Sequence, residues 1–166
     1  MTETQQHIDP KLAEILASVS DPEIPVLSIM DMGVVRSAEM NDGIAEIQIT
    51  PTYSGCPAMD VIGDDIKKAL MEKGIEAKVK LVLSPAWTSD WITPKGRKAL
   101  DDYGIAAPLE PEADVEALLG NKKIVKCPQC GSQNTKMISQ FGSTACKAFF
   151  QCQDCQEPFD YFKCLK

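Results

Sequence analysis

Cys127-Pro-Gln-Cys130 and Cys152-Gln-Asp-Cys155 are two C-x-x-C pairs with 21 residues between them. This spacing predicts a zinc ribbon. Each pair can set two thiolates on a tight turn, and two such turns can close a tetrahedron around one Zn²⁺ with Zn–S bonds of about 2.3 Å. The gap of 21 residues is just past the usual window of about 15–20. A tail this short cannot bury a sufficient apolar core, so metal binding supplies the missing folding free energy. Four thiolates fill the coordination sphere, whereas a catalytic zinc keeps an open position. The expected role of Cys127, Cys130, Cys152 and Cys155 is therefore structural. Such a set also suits iron, as one ion or as a cluster; the ribbon spacing favours zinc.

The surroundings of the quartet fit a small β unit over 123–166, with strands expected near 135–141, 146–151 and 159–164. Cys146 and Cys164 stand outside the C-x-x-C turns. They read as buried strand residues flanking the site; the alternatives are that one replaces a ligand, or that the pair has a second redox or metal role. Phe149, Phe150, Phe159, Tyr161 and Phe162 are dense for so short a segment, some expected around the metal turns and others on a docking surface. Upstream, 105–122 contains Ala106-Ala-Pro-Leu-Glu-Pro111 and ends near Gly120-Asn-Lys-Lys123. It reads as a linker with one short helix at 112–119.

The remaining residues, 1–104, read as one α/β (α+β) domain. Asp9-Pro10 opens a first helix, with Leu12, Ile15, Leu16 and Val19 on one face. Asp21-Pro22-Glu23-Ile24-Pro25 stops it. A strand near 33–39, the Asn41-Asp42-Gly43 turn and a strand over 44–50 predict a hairpin. A helix over 57–73 follows, ended by Gly74. Residues 75–83 alternate Ile75, Ala77, Val79, Leu81 and Leu83 with Glu76, Lys78 and Lys80, the pattern of a strand. Trp87 and Trp91 fall in a loop, where packing competes with a docking role. Thr93-Pro94 caps a third helix through about 102, whose Arg97 and Lys98 read as a solvated face. The order α-β-β-α-β-α indicates a small mixed sheet.

The chain has 166 residues, 44% of them hydrophobic and 25% charged, an ordinary soluble composition with room for one domain and an appendage. No apolar run reaches the roughly 18–20 residues a membrane span needs. The polar start, Met1-Thr-Glu-Thr-Gln-Gln, lacks signal-peptide regions, so a cytoplasmic location is expected. Seven cysteines, four of them in metal-site spacing, suit a reducing compartment better than a disulfide framework. The net charge of −7 is uneven: 1–120 carry 10 Lys and Arg against 21 Asp and Glu, and 121–166 carry 7 against 3. An acidic body of this kind is a poor nucleic-acid binder.

Cys56 stands alone in Thr50-Pro-Thr-Tyr-Ser-Gly-Cys56-Pro57. It follows a strand and opens a helix, where the helix dipole favours a thiolate. Such a thiolate attacks electrophiles or binds a soft metal; the plain alternative is a small, partly buried helix-start residue. His7 is the only histidine and lies in the ragged start, so a Cys–His or Ser–His catalytic pair has no support.

Asp21-Pro22-Glu23 after the first helix, Gly33 near the next strand, and the strand-loop-Cys-Pro-helix segment at 50–57 resemble the iron–sulfur-assembly domain family that includes bacterial SufT, over about 9–105. With Pro85-Ala-Trp-Thr-Ser-Asp-Trp-Ile92, Cys127-Pro-Gln-Cys-Gly-Ser132, Phe141-Gly-Ser-Thr-Ala-Cys-Lys147 and Glu157-Pro-Phe-Asp-Tyr-Phe-Lys-Cys164, nearly the whole chain is similar to the accessory-subunit family of the bacterial phenylacetyl-CoA epoxidase. The resemblance implies a non-catalytic factor in phenylacetate catabolism. It would help to mature an iron–sulfur cluster or di-iron centre, with the reductase or di-iron subunit as partner. It also implies that Cys56, Asp21 and Glu23 form a site for transient iron or an iron–sulfur cluster. One thiolate cannot hold a cluster, which generally takes about four. Asp21 and Glu23 would add oxygen ligands or accept backbone hydrogen bonds around the Cys56 loop. A homodimer, or a client's cysteines, would complete the site.

Two other classes compete. A basic, aromatic zinc ribbon suits nucleic-acid binding in a transcription-related protein, but the tail's lysines are scattered, it has no arginine, and the body repels phosphate. A thiol redox enzyme built on Cys56 would lack an adjacent resolving cysteine.

Overall fold

The computed structural model describes residues 7–109, 117–119 and 125–163. The chain divides into two compact units: Met1–Trp87 with Trp91–Thr93, and Thr88–Asp90 with Pro94–Lys166.

In the first unit, Asp9 caps α1 (Pro10–Leu16) by accepting the Lys11 N–H at 2.8 Å. A one-turn helix absent from the sequence reading, α2 (Ile29–Met32), follows. Strands β1 (Val35–Asn41) and β2 (Ile44–Ile49) form the expected antiparallel hairpin. Its turn places Asp42 at φ 49° and Gly43 at φ 83°, the paired positive angles of a tight hairpin turn. After α3 (Ala58–Met71), β3 (Glu76–Leu81) returns parallel to β2, which gives a mixed sheet of order β1-β2-β3. The apolar faces meet at Leu12, Leu16, Ile47, Ile49, Ile62, Ile66 and Leu70, all nearly or wholly buried. β3 is less covered than its alternation suggests: Leu81 is 49% and Leu83 62% exposed.

Both tryptophans serve packing. Trp87 is buried and its Nε1–H donates to the Met32 carbonyl at 3.0 Å. Trp91 stacks under Arg36, with the guanidinium carbon 3.6 Å from the ring centroid. Gly33, at φ 76°, lets Trp91 approach; a Cβ there would lie 2.5 Å from the Trp91 carbonyl oxygen.

The second unit contains α4 (Pro94–Tyr103), β4 (Ile105–Ala106), β5 (Thr135–Ser139), β6 (Lys147–Cys152) and β7 (Pro158–Phe162). Its sheet has the order β4-β7-β6-β5. The expected linker, 105–122, therefore begins with a strand of this sheet: β4 runs parallel to β7, and the Leu109 N–H donates to the Tyr161 hydroxyl at 3.1 Å. The helix expected at 112–119 falls largely outside the described residues. Arg97 also departs from the solvated face expected of it. Its guanidinium donates to the carbonyls of Pro108 at 2.6 Å and Ser89 at 2.8 Å, whereas Lys98 does lie at the surface beside Asp102. The aromatic residues turn inward. Phe150, Phe159, Tyr161 and Phe162 are buried and Phe149 is half-buried, so they form core rather than the docking surface expected of some of them. Phe150 lies 5.9 Å from Phe159 and 5.5 Å from Tyr161 between ring centroids.

Candidate metal centre and Cys56 site

The two cysteine pairs fold into matching knuckles. The Cys127 N–H donates to the Ser132 carbonyl, and the Cys152 N–H to the Glu157 carbonyl, both at 2.9 Å. Each knuckle turns through a positive φ just after its second cysteine, at Gly131 and Gln156. β6 leads into Cys152, and its pairing with β5 sets Cys152 opposite Thr135, beside the first knuckle.

The sulfurs of Cys127, Cys130, Cys152 and Cys155 all lie within 4.8 Å of one another. Cys127 and Cys155 are 3.7 Å apart, and Cys130 and Cys152 are 3.6 Å apart. A tetrahedron with metal–sulfur bonds of about 2.3 Å has sulfur–sulfur edges of about 3.8 Å, so the four sulfurs fit one metal ion. Cys127 and Cys152 face the core, while Cys130 and Cys155 are exposed.

Backbone N–H groups point at these sulfurs: those of Cys155 and Asp154 at Cys152, that of Ser132 at Cys130 and that of Glu157 at Cys155. Donors of this kind favour the thiolate. The Cys155 and Asp154 N–H groups hold Cys152 down at about 7. Against the Glu157 N–H, burial and the neighbouring thiols push Cys155 up to about 12. Against the Ser132 N–H, the Cys152 thiol raises Cys130. All four sulfurs can ionise together at this spacing only with a cation between them.

Asp154 joins the knuckles and was not singled out in the sequence. Its carboxylate accepts from the Ser132 hydroxyl and from Asn134 Nδ2 at 2.8 Å, while the Asn134 carbonyl accepts the Gln153 N–H at 2.8 Å. A short polar side chain inside the second C-x-x-C is the only local sign of this bridge. Cys146 is not part of the quartet: it is buried, and its sulfur lies 3.0 Å from Thr144 Oγ1. Cys164 lies outside the described residues.

In the first unit, Cys56 is half-buried between loop 51–57 and α3. Its N–H donates to the Tyr53 carbonyl and its carbonyl accepts the Met59 N–H, both at 3.3 Å. The expected tilt towards thiolate is reversed. Burial raises the thiol, and the charges of Glu23 and Asp21 add to it, outweighing hydrogen bonds from the Ala58 N–H and the Tyr53 side chain. The helix-start position does supply a donor, but it does not win. Both carboxylates are thus close enough to act on Cys56 through charge. Asp21 is buried, and its Oδ1 accepts the N–H groups of Glu23 at 2.8 Å and Ile24 at 2.9 Å. These donors belong to its own turn rather than to the Cys56 loop. Among the described residues, the ribbon quartet is the set of three or more potential ligands that gathers tightly; Cys56, Asp21 and Glu23 do not form one.

Among the described lysines of the tail, Lys126 and Lys136 are exposed, while two others turn inward. Lys147 and Lys163 are buried, with their ammonium groups turned to the Ser143 hydroxyl and the Gln140 carbonyl. No helix is long and apolar enough to cross a membrane among the described residues.

Comparison with known proteins follows the same division. Residues 11–82 match the family described as iron-sulfur cluster assembly protein, and residues 111–163 match the PaaD zinc beta ribbon domain. A relative from Escherichia coli (strain K12), named provisionally as one of the subunits of 1,2-phenylacetyl-CoA epoxidase, is 46% identical over 91% of this chain and 90% of its own length. The Fe-S protein maturation auxiliary factor YitW of Bacillus subtilis (strain 168) is 36% identical over 51% of this chain and 85% of its own. The crystal structure of a DUF59 domain from Bacillus anthracis superposes with a TM-score of 0.51 at 31% identity, covering 54% of this chain and 88% of that one.

Proposed function

Because the chain belongs to the PaaD family, whose members include the Escherichia coli relative, we propose that it is a non-catalytic, cytoplasmic accessory protein of a phenylacetyl-CoA epoxidase. It assists maturation of an iron–sulfur cluster or di-iron centre in a partner protein, the reductase or the di-iron subunit. The observation that carries this reading is a division of labour among thiols. Four of them close a compact quartet, while a fifth, Cys56, is not a member of that set and sits half-buried at a helix start.

The quartet suits zinc, held by Cys127, Cys130, Cys152 and Cys155, because a closed tetrahedron of thiolates is the usual structural zinc site. That ion would supply folding free energy and no reaction step. Cys56 is the contact for transient cargo, iron or an iron–sulfur cluster. The Ala58 N–H and the Tyr53 side chain orient its sulfur, while burial and the two nearby carboxylates keep the thiol protonated and unreactive before cargo arrives. Glu23 can turn its carboxylate to cargo, and Asp21 holds the turn that presents it. Since a cluster takes about four ligands, cysteines of the client or of a second copy complete the site.

The test is co-purification from cells expressing all epoxidase subunits, with iron and zinc analysis of wild type and Cys56→Ala. Recovery of the reductase or di-iron subunit with wild type names the client. Loss of co-purified iron with retained zinc in Cys56→Ala supports the division of labour; co-purification of no subunit would overturn it.

A further inference from the structure

The three-stranded sheet has two edges, and the chain treats them differently. Its start covers β1: the Asp9 N–H donates to the Ala38 carbonyl at 2.8 Å, and the Ala38 N–H to the His7 carbonyl at 3.2 Å. Along β3, no strand pairs with the outer side among the described residues. The Val82 N–H donates inward to the Ile49 carbonyl at 2.8 Å. Strand alternation therefore turns the N–H groups of Ala77, Val79 and Leu81 outward. An open edge beside exposed apolar side chains is a template for another chain, and proteins usually guard it.

Beside this edge, α3 and β3 enclose a groove of ≈ 320 Å³ whose floor includes Ile49, Met59, Gly63, Val79 and Leu81. Gly63 keeps the floor low: a Cβ there would meet only Val79 Cγ1, at 3.9 Å. Asp60, Asp64 and Lys67 complete the lining, and Lys67 pairs with Asp64 at 3.5 Å. Met59 also places the groove next to the candidate cargo thiol, because its N–H donates to the Cys56 carbonyl.

The other face of β3 carries Glu76, Lys78 and Lys80, all exposed, so its middle and far end are basic. In the register of the sheet Lys78 lies opposite Glu46 and Lys80 opposite the uncharged Gln48. Antiparallel pairing of two copies centred on Val79 would set Lys78 opposite Lys80, and like charges directly opposite are destabilising. A strand bearing carboxylates suits this face better.

We propose that the β3 edge docks an extended segment of a partner polypeptide as a fourth strand. Alternate apolar side chains of that segment enter the groove over Gly63, and the intervening carboxylates face Lys78 and Lys80. The choice of partner rests on the accessory role argued above; the geometry of the edge does not. Docking here would bring the client's own ligands beside Cys56.

Amide hydrogen exchange of the full, metal-loaded chain, alone and with each purified epoxidase subunit, tests this. The expected result is new protection at Ala77, Val79 and Leu81 with one subunit. Leu81→Pro, which removes an outward N–H from an edge strand, should weaken that binding by about tenfold or more, and Lys80→Glu should weaken it too. Metal content and thermal unfolding should be unchanged in Lys80→Glu, which keeps the strand backbone intact. Binding with protection confined to other segments would overturn the docking site and leave the accessory role standing. Binding by no subunit would overturn both. Protection of β3 that rises with the concentration of the chain alone would assign the edge to a second copy instead.

Discussion

Gly131 and Gln156 hold the same place in the two cysteine knuckles, with φ of 74° and 64°. Each follows the second cysteine of its pair. Only one of them is a glycine, although left-handed backbone is costly for a residue with a Cβ. Gln156 offsets the strain in part by donating from Nε2 to the Gln153 carbonyl at 2.7 Å. Gly131→Ala should therefore destabilise the metal-loaded protein by about 1–2 kcal/mol, although a Cβ there meets nothing within 4 Å. Gln156→Gly should stay within about 1 kcal/mol of wild type, since relief of strain is balanced by lost hydrogen bonding and by glycine's entropy in the unfolded chain. Denaturant unfolding at saturating metal measures both.

The quartet and its bridge should separate in metal titrations. Cys130→Ser removes a ligand and should abolish stoichiometric metal binding, with loss of the near-ultraviolet signal of Tyr161 and its neighbours as the ribbon unfolds. Asp154→Ala keeps all four thiolates but frees Ser132 and Asn134. Its metal affinity should fall by roughly tenfold or more, with the full complement of metal recovered at high concentration. Competition against a chromophoric chelator reads both effects.

The reactivity of Cys56 should follow the direction of its pKa. The thiolate is the nucleophile, and burial with the charges of Glu23 and Asp21 raises the thiol. At neutral pH, alkylation of Cys56 should thus lag behind that of an unhindered thiol of pKa about 8.5. The rate should rise about tenfold per pH unit, and level off only above that value. Glu23→Gln should speed the reaction at pH 8, and Tyr53→Phe should slow it. Peptide mapping by mass spectrometry gives the rates; a plateau already at pH 7 would refute the assignment.

Arg97 should prove to be a structural clamp. Arg97→Ala frees the carbonyls of Pro108 and Ser89 and should cost about 1–3 kcal/mol. Arg97→Lys should not restore it, because an ammonium cannot reproduce the planar fork that reaches two carbonyls. Thermal unfolding monitored in the second unit checks this.

These residues show which parts of the molecule local sequence reveals. The C-x-x-C pairs were legible because each knuckle is closed by bonds within six residues, and the hairpin because Asp42-Gly43 sets its own turn. The strand β4 was not, since two residues pair with β7 far along the chain and their flanks look like a linker. Arg97 sits where helical periodicity predicts solvent, yet its acceptors are backbone carbonyls in the segments flanking its helix, eight and eleven residues away, which carry no side-chain signature. Cys56 was found as a residue but misjudged in charge. The helix dipole is local and visible in sequence, whereas burial and the approach of Glu23 and Asp21 arise only when the 21–24 turn folds beside the 51–57 loop. The family resemblance brought those three residues together in advance; spacing alone did not.

The central claim is that Cys56 handles cargo for a client while the quartet only braces the fold. The most direct measurement is the iron content of the epoxidase reductase and di-iron subunits isolated from cells that lack this chain, complemented with wild type or with Cys56→Ser. Wild type should restore iron to one of these subunits. Cys56→Ser, present at equal level and with its ribbon metal intact, should leave that client as depleted as in cells without the chain. Full iron in the client with Cys56→Ser would contradict the account.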